Sequence, residues 1–205
     1  MTRNNGGFTL IEQLMVLVLS SLLLAVLYKT ALTQQKAYSV QEQVVDTQQN
    51  GRMAIDRMDR EIRMAGYRKD ILDSLGNISG YTKVLTPVNG ANHVGKNDDQ
   101  ITLIVEDKAI TFRLQWDAIH PTMPVLVREE NGVGEVLAED IENLQFEYIL
   151  KDGTFTETPG NTDDVRTVRT TIIARTKLTD PDLKGGDGYR RRELSSVIKV
   201  RNLGL

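Results

Sequence analysis

A long apolar segment close to the N-terminus constrains this chain more than any other feature. Residues 8–28 read FTLIEQLMVLVLSSLLLAVLY, and Glu12 is the only charged residue among them. A helix of about 20 residues spans the ~30 Å hydrocarbon core of a bilayer. The next proline after this segment is Pro87, so no proline interrupts helical hydrogen bonding in or just beyond it. The pattern predicts a membrane-spanning helix that continues into the following residues.

The residues before the apolar segment form an unusual processing signal. An ordinary secretory signal has small residues after its apolar region, so that cleavage discards the hydrophobic part. Here Gly6 and Gly7 precede that region. Cleavage between Gly7 and Phe8 would remove only residues 1–7 and leave Phe8 as the new N-terminus. The formal net charge would change from −3 to −4, because Arg3 is the only charged residue of this leader.

Glu12 is an acid inside a segment that otherwise suits a membrane. An ionised carboxylate at the centre of a membrane helix costs about 3 kcal/mol or more, so a partner is expected. One interpretation pairs Glu12 with the free ammonium of Phe8, about 6 Å back along the axis, in the same chain or in a neighbouring copy. The other keeps Glu12 in the first helical turn, where the helix dipole favours an anion and the side chain reaches the headgroups.

The string Gly7-Phe8-Thr9-Leu10-Ile11-Glu12, followed directly by the apolar run, resembles the signal of type IV prepilins and type II secretion pseudopilins. The resemblance implies that prepilin peptidase cleaves after Gly7 and that Phe8 becomes N-methylated. It also implies that Thr9 and Glu12 take part in subunit assembly. The expected fold is α+β: a type IV pilin fold with a long N-terminal helix packed on an antiparallel β-sheet head.

The helix pattern continues past the apolar segment, from residue 29 to residue 66. Apolar residues at spacings of three, four, seven and eleven share one face of such a helix, and we expect them to pack against the head: Val44, Ile55, Met58, Ile62 and Ala65. Gly51 lies inside this helix and marks either a bend or a close contact with the head. Gly66 follows the last apolar position and is the expected end of the helix.

The remaining residues, 67–205, are predicted to form a β-rich head. A loop is expected over residues 69–100, followed by a hairpin over residues 101–115 with its turn at Asp107-Lys108, because apolar and polar residues alternate on both sides of that turn. Further alternating segments predict strands at 124–128, 134–138, 144–150, 165–178 and 192–201. The head is therefore expected to be antiparallel and covered on one face by the helix.

Composition and spacing favour no enzyme, cofactor or metal. The chain has no cysteine, and its two histidines, His93 and His120, occupy loop-like segments without metal-ligand spacing. Asp180, Asp182 and Asp187 offer oxygens to calcium, but their spacing differs from an EF-hand. A hairpin between the last two strands explains the same three residues.

Several arginines converge on the last two predicted strands: Arg166, Arg169, Arg175, Arg190, Arg191 and Arg192. If these strands pair, the arginines either form a basic patch for phosphate or DNA or make a solvated edge that resists aggregation. The overall charge of −3 favours the second interpretation.

Four later strings resemble minor pilins of the PilW type and the related J-type pseudopilins: REIRMAGY at 60–67, IENLQFEY at 141–148, ARTK at 174–177 and VRN at 200–202. The resemblance implies a structural minor pilin at or near the tip of a type IV pilus, where it primes assembly. A J-like pseudopilin of type II secretion and a DNA-binding minor pilin are the alternatives.

The same resemblance implies a location and partners. We expect a single-pass protein of the inner membrane with its head in the periplasm, and later a place in the pilus at the surface of a Gram-negative-type bacterium. The implied partners are other minor and major pilins, prepilin peptidase and the inner-membrane assembly platform.

Overall fold

The structure, a computed structural model, describes residues 9–67, 85–88, 90, 98–106, 108–116, 123–180, 182–183 and 185–201. The chain divides into two compact units, Met1–Glu42 and Gln43–Leu205. Helix α1, Leu10–Met64, begins in the first unit and ends in the second.

In the first unit, helix α1 is apolar and exposed. It contains an 18-residue window of mean hydropathy 2.4, 0% buried within the described residues, and by length and composition it is able to cross a membrane. The hydroxyls of this segment bind the helix backbone: Ser20 Oγ donates to Val16 O at 2.7 Å and Ser21 Oγ to Val18 O at 2.8 Å. These bonds suit a lipid environment, where water is not available to satisfy a hydroxyl.

In the second unit, helix α1 ends at Met64. Gly66 has a φ of 80°, a left-handed conformation that glycine adopts at helix ends without strain. Its N–H donates to Ile104 O at 2.9 Å, and the N–H of Tyr67 donates to Met64 O at 2.8 Å. The chain therefore leaves the helix directly beside the first sheet.

The first sheet is antiparallel and has five strands in the order β1-β2-β3-β4-β5. The strands are β1 (Leu85–Val88), β2 (Gln100–Val105), β3 (Lys108–Trp116), β4 (Pro124–Glu130) and β5 (Val133–Ala138). Strands β2 and β3 form the predicted hairpin, in which Ile101 pairs with Phe112, but Lys108, predicted in the turn, is the first residue of β3 and pairs with Val105. Alternate residues of both strands are buried in the core.

The second sheet is antiparallel and has four strands in the order β7-β6-β8-β9. The strands are β6 (Ile141–Leu150), β7 (Phe155–Thr156), β8 (Val165–Arg175) and β9 (Arg191–Lys199), and a 3-10 helix, Thr162–Asp164, precedes β8. Seven even-numbered residues of β6 and β8 face the core and are buried: Leu144, Phe146, Tyr148, Val168, Thr170, Ile172 and Ala174.

Asp99 connects the two sheets. Its N–H donates to Leu144 O at 2.8 Å, and its carboxylate accepts from Phe146 N at 2.8 Å and from Gly90 N at 2.9 Å. These bonds satisfy the backbone C=O of Leu144 and the backbone N–H of Phe146, in the part of β6 that does not pair with the short strand β7. Burial raises the pKa of the Asp99 carboxyl, and the two backbone N–H groups oppose that shift.

The structure confirms the α+β class, with a long N-terminal helix and antiparallel sheets. It corrects three details: the head contains two sheets instead of one, β1 lies inside the segment predicted as a loop, and β8 ends at Arg175. Leu178, expected on the buried face of that strand, is 63% exposed. Its N–H binds Gln43 Oε1 at 3.0 Å and not a neighbouring strand.

Candidate assembly site

The first turn of helix α1 is closed by a reciprocal pair of side-chain contacts. Thr9 Oγ1 accepts from Glu12 N at 3.3 Å, and Glu12 Oε2 accepts from Thr9 N at 3.2 Å and from the Thr9 hydroxyl at 3.4 Å. This is a capping box, in which a threonine before the helix and an acid three residues later satisfy each other's backbone N–H. The helix begins at Leu10 because Thr9 occupies the capping position.

The capping box gives Glu12 a defined place at the positive end of the helix dipole. The hydrogen bonds that the Glu12 carboxylate accepts from described residues all use Oε2. Oε1 has no hydrogen bond to a described residue, and Glu12 itself is exposed. Gly7 and Phe8, the expected cleavage and methylation residues, lie outside the described residues.

The upper part of helix α1 packs against the head within the second unit. Ile55, Met58, Ile62 and Ala65 are buried, whereas Val44 is half-buried. Thr47, Gly51 and Ala54 also belong to the buried face. Periodicity of large apolar residues does not detect these small or polar positions, although they lie on the same helical stripe.

Gly51 marks a close contact between helix and sheet. A Cβ atom at this position would lie 2.4 Å from Leu194 Cδ1 and 3.4 Å from Ile172 Cδ1. Real Cβ atoms do not approach other atoms so closely, so any larger residue displaces Leu194 or the helix. Of the two interpretations of Gly51, the structure supports the close contact.

A buried ion pair joins the helix to the first sheet. Glu61 Oε1 accepts from Arg128 Nε at 2.8 Å and from Arg57 Nε at 2.9 Å. Arg128 is 7% exposed and also donates to Glu130 Oε2 at 2.7 Å. Lys108 binds Glu130 from the other side at 2.8 Å. Hydrogen bonds from Lys108 and then Arg128 lower the pKa of Glu130 to about 2.

A second polar contact joins the helix to the other sheet. Ser196 Oγ of β9 donates to Asp59 Oδ2 at 2.6 Å. Burial raises the pKa of the Asp59 carboxyl, and the bond from Ser196 opposes the shift. Sequence analysis missed Asp59, Glu61 and Arg128, because the contacts by which they join helix to sheet span 67 or more residues of the chain.

The three aspartates considered for calcium do not form one cluster. Asp180 accepts from Arg190 Nε at 2.6 Å and from Asp182 N at 2.9 Å. Asp187 binds Arg191. No group of three or more metal-ligating side chains occurs among the described residues. The turn from β8 to β9 is thus held by arginine–aspartate pairs.

Strands β8 and β9 pair as predicted, with Arg175 opposite Arg191, yet most of the arginines have local partners. Arg169 binds Glu147 at 2.7 Å, and Arg191 binds both Glu142 and Asp187. The Arg175 guanidinium stacks over the Tyr189 ring at 4.2 Å. This arrangement disfavours a basic surface for DNA. His93 and His120 lie outside the described residues.

Comparison with known proteins gives a family match at the N-terminal segment. Residues 2–28 match the family model of the prokaryotic N-terminal methylation motif. A solved structure of a type IV-like pilin from Thermus thermophilus is similar, with a TM-score of 0.48, 10% identity, and coverage of 76% of this chain and 97% of that chain. No curated protein matches the sequence.

The motif match confirms the predicted resemblance of the N-terminal segment to prepilins. The N-terminal segment thus carries the methylation motif of prepilin-type proteins, and its apolar helix is long enough to cross a membrane.

Proposed function

We propose that the protein is a structural minor pilin, cleaved after Gly7, methylated at Phe8, and incorporated at or near the tip of a type IV pilus, where it primes assembly. The observation that carries this proposal is the position and hydrogen bonding of the Glu12 carboxylate. The carboxylate is held by Thr9 at the start of an exposed apolar helix, and its Oε1 has no bond to described residues.

The proposed mechanism follows from the chemistry of that first turn. In the membrane, Glu12 is an acid at the beginning of an apolar helix, and a cationic partner lowers the cost of its charge. The N-terminal ammonium of a neighbouring subunit is such a partner. Pairing through Oε1 leaves the Thr9 bonds through Oε2 intact. The ion pair then fixes the register in which two apolar helices pack side by side.

Other pilins, prepilin peptidase and the inner-membrane assembly platform are the proposed partners. The protein is first a single-pass protein of the inner membrane with its head in the periplasm. The proposed role requires no catalysis, in agreement with the structural character of pilin-like proteins.

A J-like minor pseudopilin of type II secretion is the second candidate, because the same N-terminal segment resembles both classes. Complementation separates them. Restored piliation in cells lacking the native copy supports the pilin, and restored protein secretion without piliation supports the pseudopilin. The pairing of Arg169, Arg190 and Arg191 with acids gives no support to a DNA-binding pilin.

The test of the Glu12 mechanism uses Glu12→Gln and Glu12→Ala in cells lacking the native copy. Glutamine retains the capping box but removes the charge, so it separates assembly from helix capping. Both variants are expected to remain membrane-bound and cleaved at Phe8, as read by mass spectrometry of the N-terminus, but to be depleted from sheared pili. Wild-type incorporation of Glu12→Gln would overturn the ion-pair mechanism.

A further inference from the structure

The apolar part of helix α1 holds one polar side chain that has no bond to the rest of the described chain. Thr9 and Glu12 bind each other. Ser20 and Ser21 donate to backbone carbonyl groups of the same helix. The side-chain amide of Gln13 makes no hydrogen bond to a described residue, and Gln13 is exposed.

A bilayer makes the free amide of Gln13 unfavourable. Hydrocarbon offers neither a donor nor an acceptor, so an amide placed there needs a protein partner. The side chains one turn further along the helix, Val16 and Leu17, are apolar, and Thr9, one turn back, is bound to Glu12. A partner for the amide therefore comes from outside this helix, and polar side chains form such hydrogen bonds between membrane helices.

Gln13 belongs to a helical seam that suits packing against another helix. Positions at spacings of four and three share one face, and two parallel helices pack along such a repeat in a left-handed coil. Ser20 is small, and its hydroxyl is bound to Val16 O at 2.7 Å, so two backbones can approach closely there. The leucines of the seam are exposed. The Gln13 seam consists of Gln13, Leu17, Ser20, Leu24 and Leu27.

We infer that the Gln13 seam pairs, in parallel and in register, with the same seam of a second copy of this chain. Copies that insert with one orientation place their Gln13 amides at the same depth. An amide carries donors and an acceptor, so two Gln13 side chains satisfy each other. A polar residue at one seam position fixes the register, because an axial shift would leave both amides in hydrocarbon.

This dimer is distinct from the proposed ion pair of Glu12. Neighbouring residues are about 100° apart around an α-helix, so Glu12 lies to one side of the Gln13 seam. The ion pair joins groups about 6 Å apart along the axis, whereas two amides need no stagger. The dimer rests on the proposed insertion of helix α1 in a membrane, but it does not depend on a filament.

The test uses introduced cysteines, because the chain has none of its own. The full-length protein is reconstituted in liposomes and oxidised mildly. A cysteine on the Gln13 seam is expected to form disulfide-linked dimers, and a cysteine at the next position is not, since it faces away from the seam. The two matched pairs are Leu17→Cys with Val18→Cys, and Leu24→Cys with Ala25→Cys.

Gln13→Leu tests the contribution of the amide to the dimer. Energy transfer between copies labelled at Gly160→Cys, an exposed site of the head with nothing within 4 Å of a Cβ, measures the dissociation constant. The variant is expected to weaken self-association about threefold to thirtyfold, the range for a polar contact between membrane helices.

A double variant, Gln13→Leu with Leu14→Gln, keeps the composition and moves the amide about 100° around the helix. The new seam contains residues 18 and 25 in place of 17 and 24. Disulfide formation is therefore expected to move from Leu17→Cys and Leu24→Cys to Val18→Cys and Ala25→Cys.

Three outcomes would overturn the inference. The first is the absence of wild-type self-association at any protein-to-lipid ratio, which would leave the seam to a different protein. The second is equal cross-linking at Leu17→Cys and Val18→Cys. The third is an unchanged dissociation constant for Gln13→Leu. Wild-type protein that does not float with the liposomes would contradict the membrane helix itself, and with it the dimer.

Discussion

Gly51 of helix α1 and Leu194 of β9 are in contact so close that no side chain fits between them: a Cβ at residue 51 would lie 2.4 Å from Leu194 Cδ1. The atom in this close contact is the end of the Leu194 side chain, and the next nearest is Ile172 Cδ1 at 3.4 Å. Asp59 and Glu61 then bind the two sheets from neighbouring positions of the helix. Gly51 and these two acids therefore add to the packing of the buried apolar residues of the helix, Ile55, Met58 and Ile62.

Gly51→Ala is expected to destabilise the protein in spite of alanine's higher helix propensity. Alanine favours a helix by about 1 kcal/mol over glycine, whereas overpacking a tight core contact costs about 1–3 kcal/mol. Thermal unfolding of the full-length protein in detergent measures the balance. Gly160→Ala is the matched control, because nothing lies within 4 Å of a Cβ there. An unfolding temperature for Gly51→Ala at or above wild type would contradict the close contact.

Arg128→Met is expected to destabilise the protein by about 1.5–3 kcal/mol, because Glu61 loses its partner in the sheet and keeps only Arg57 of its own helix. The double variant Glu61→Leu with Arg128→Met is expected to recover much of that loss. Denaturant unfolding of the single and double variants measures the coupling. Additive losses in the double variant would show that the pair does not act as a unit.

The free energy of unfolding is expected to decrease in acid because Glu130 becomes protonated. Its pKa is about 2 in the folded protein against 4.5 for the free side chain, so the unfolded chain binds the proton more readily. The stabilisation is therefore complete above pH 4.5 and is lost as the pH falls toward 2.

Glu130→Gln should reduce the acid dependence of the unfolding temperature in that window. Glu135→Gln, an exposed glutamate of β5, is the comparison and is expected to leave the dependence unchanged. Equal pH profiles for wild type and Glu130→Gln would argue against the contribution of the Lys108 and Arg128 bonds.

Thr9→Ala is expected to fray the first turn of helix α1 without releasing the protein from the membrane. Loss of an N-cap side chain costs about 1 kcal/mol, which is small beside the burial of the apolar segment. Hydrogen exchange at Glu12 and Gln13 should increase, while membrane fractionation stays the same. Thr9→Ser keeps the capping hydroxyl and should exchange like the wild type.

Local features of the chain were predictable because they depend on neighbours in sequence. The apolar run and the absence of proline predicted a long N-terminal helix, which the structure shows as α1. Gly66 marks its end, and alternation between residues 101 and 115 predicts the hairpin. Each of these rests on hydrogen bonds within a helical turn or across one tight turn.

Tertiary structure alone decided which strands share a sheet and which polar residues are buried. Asp99, next to β2 of the first sheet, binds β6 of the second, and Glu61 meets Arg128 across 67 residues of chain. Leu178 lies outside the sheet, since β8 ends three residues earlier, at Arg175. Sequence periodicity cannot reveal such pairings, since their free energy arises only when burial removes water from groups far apart in the chain.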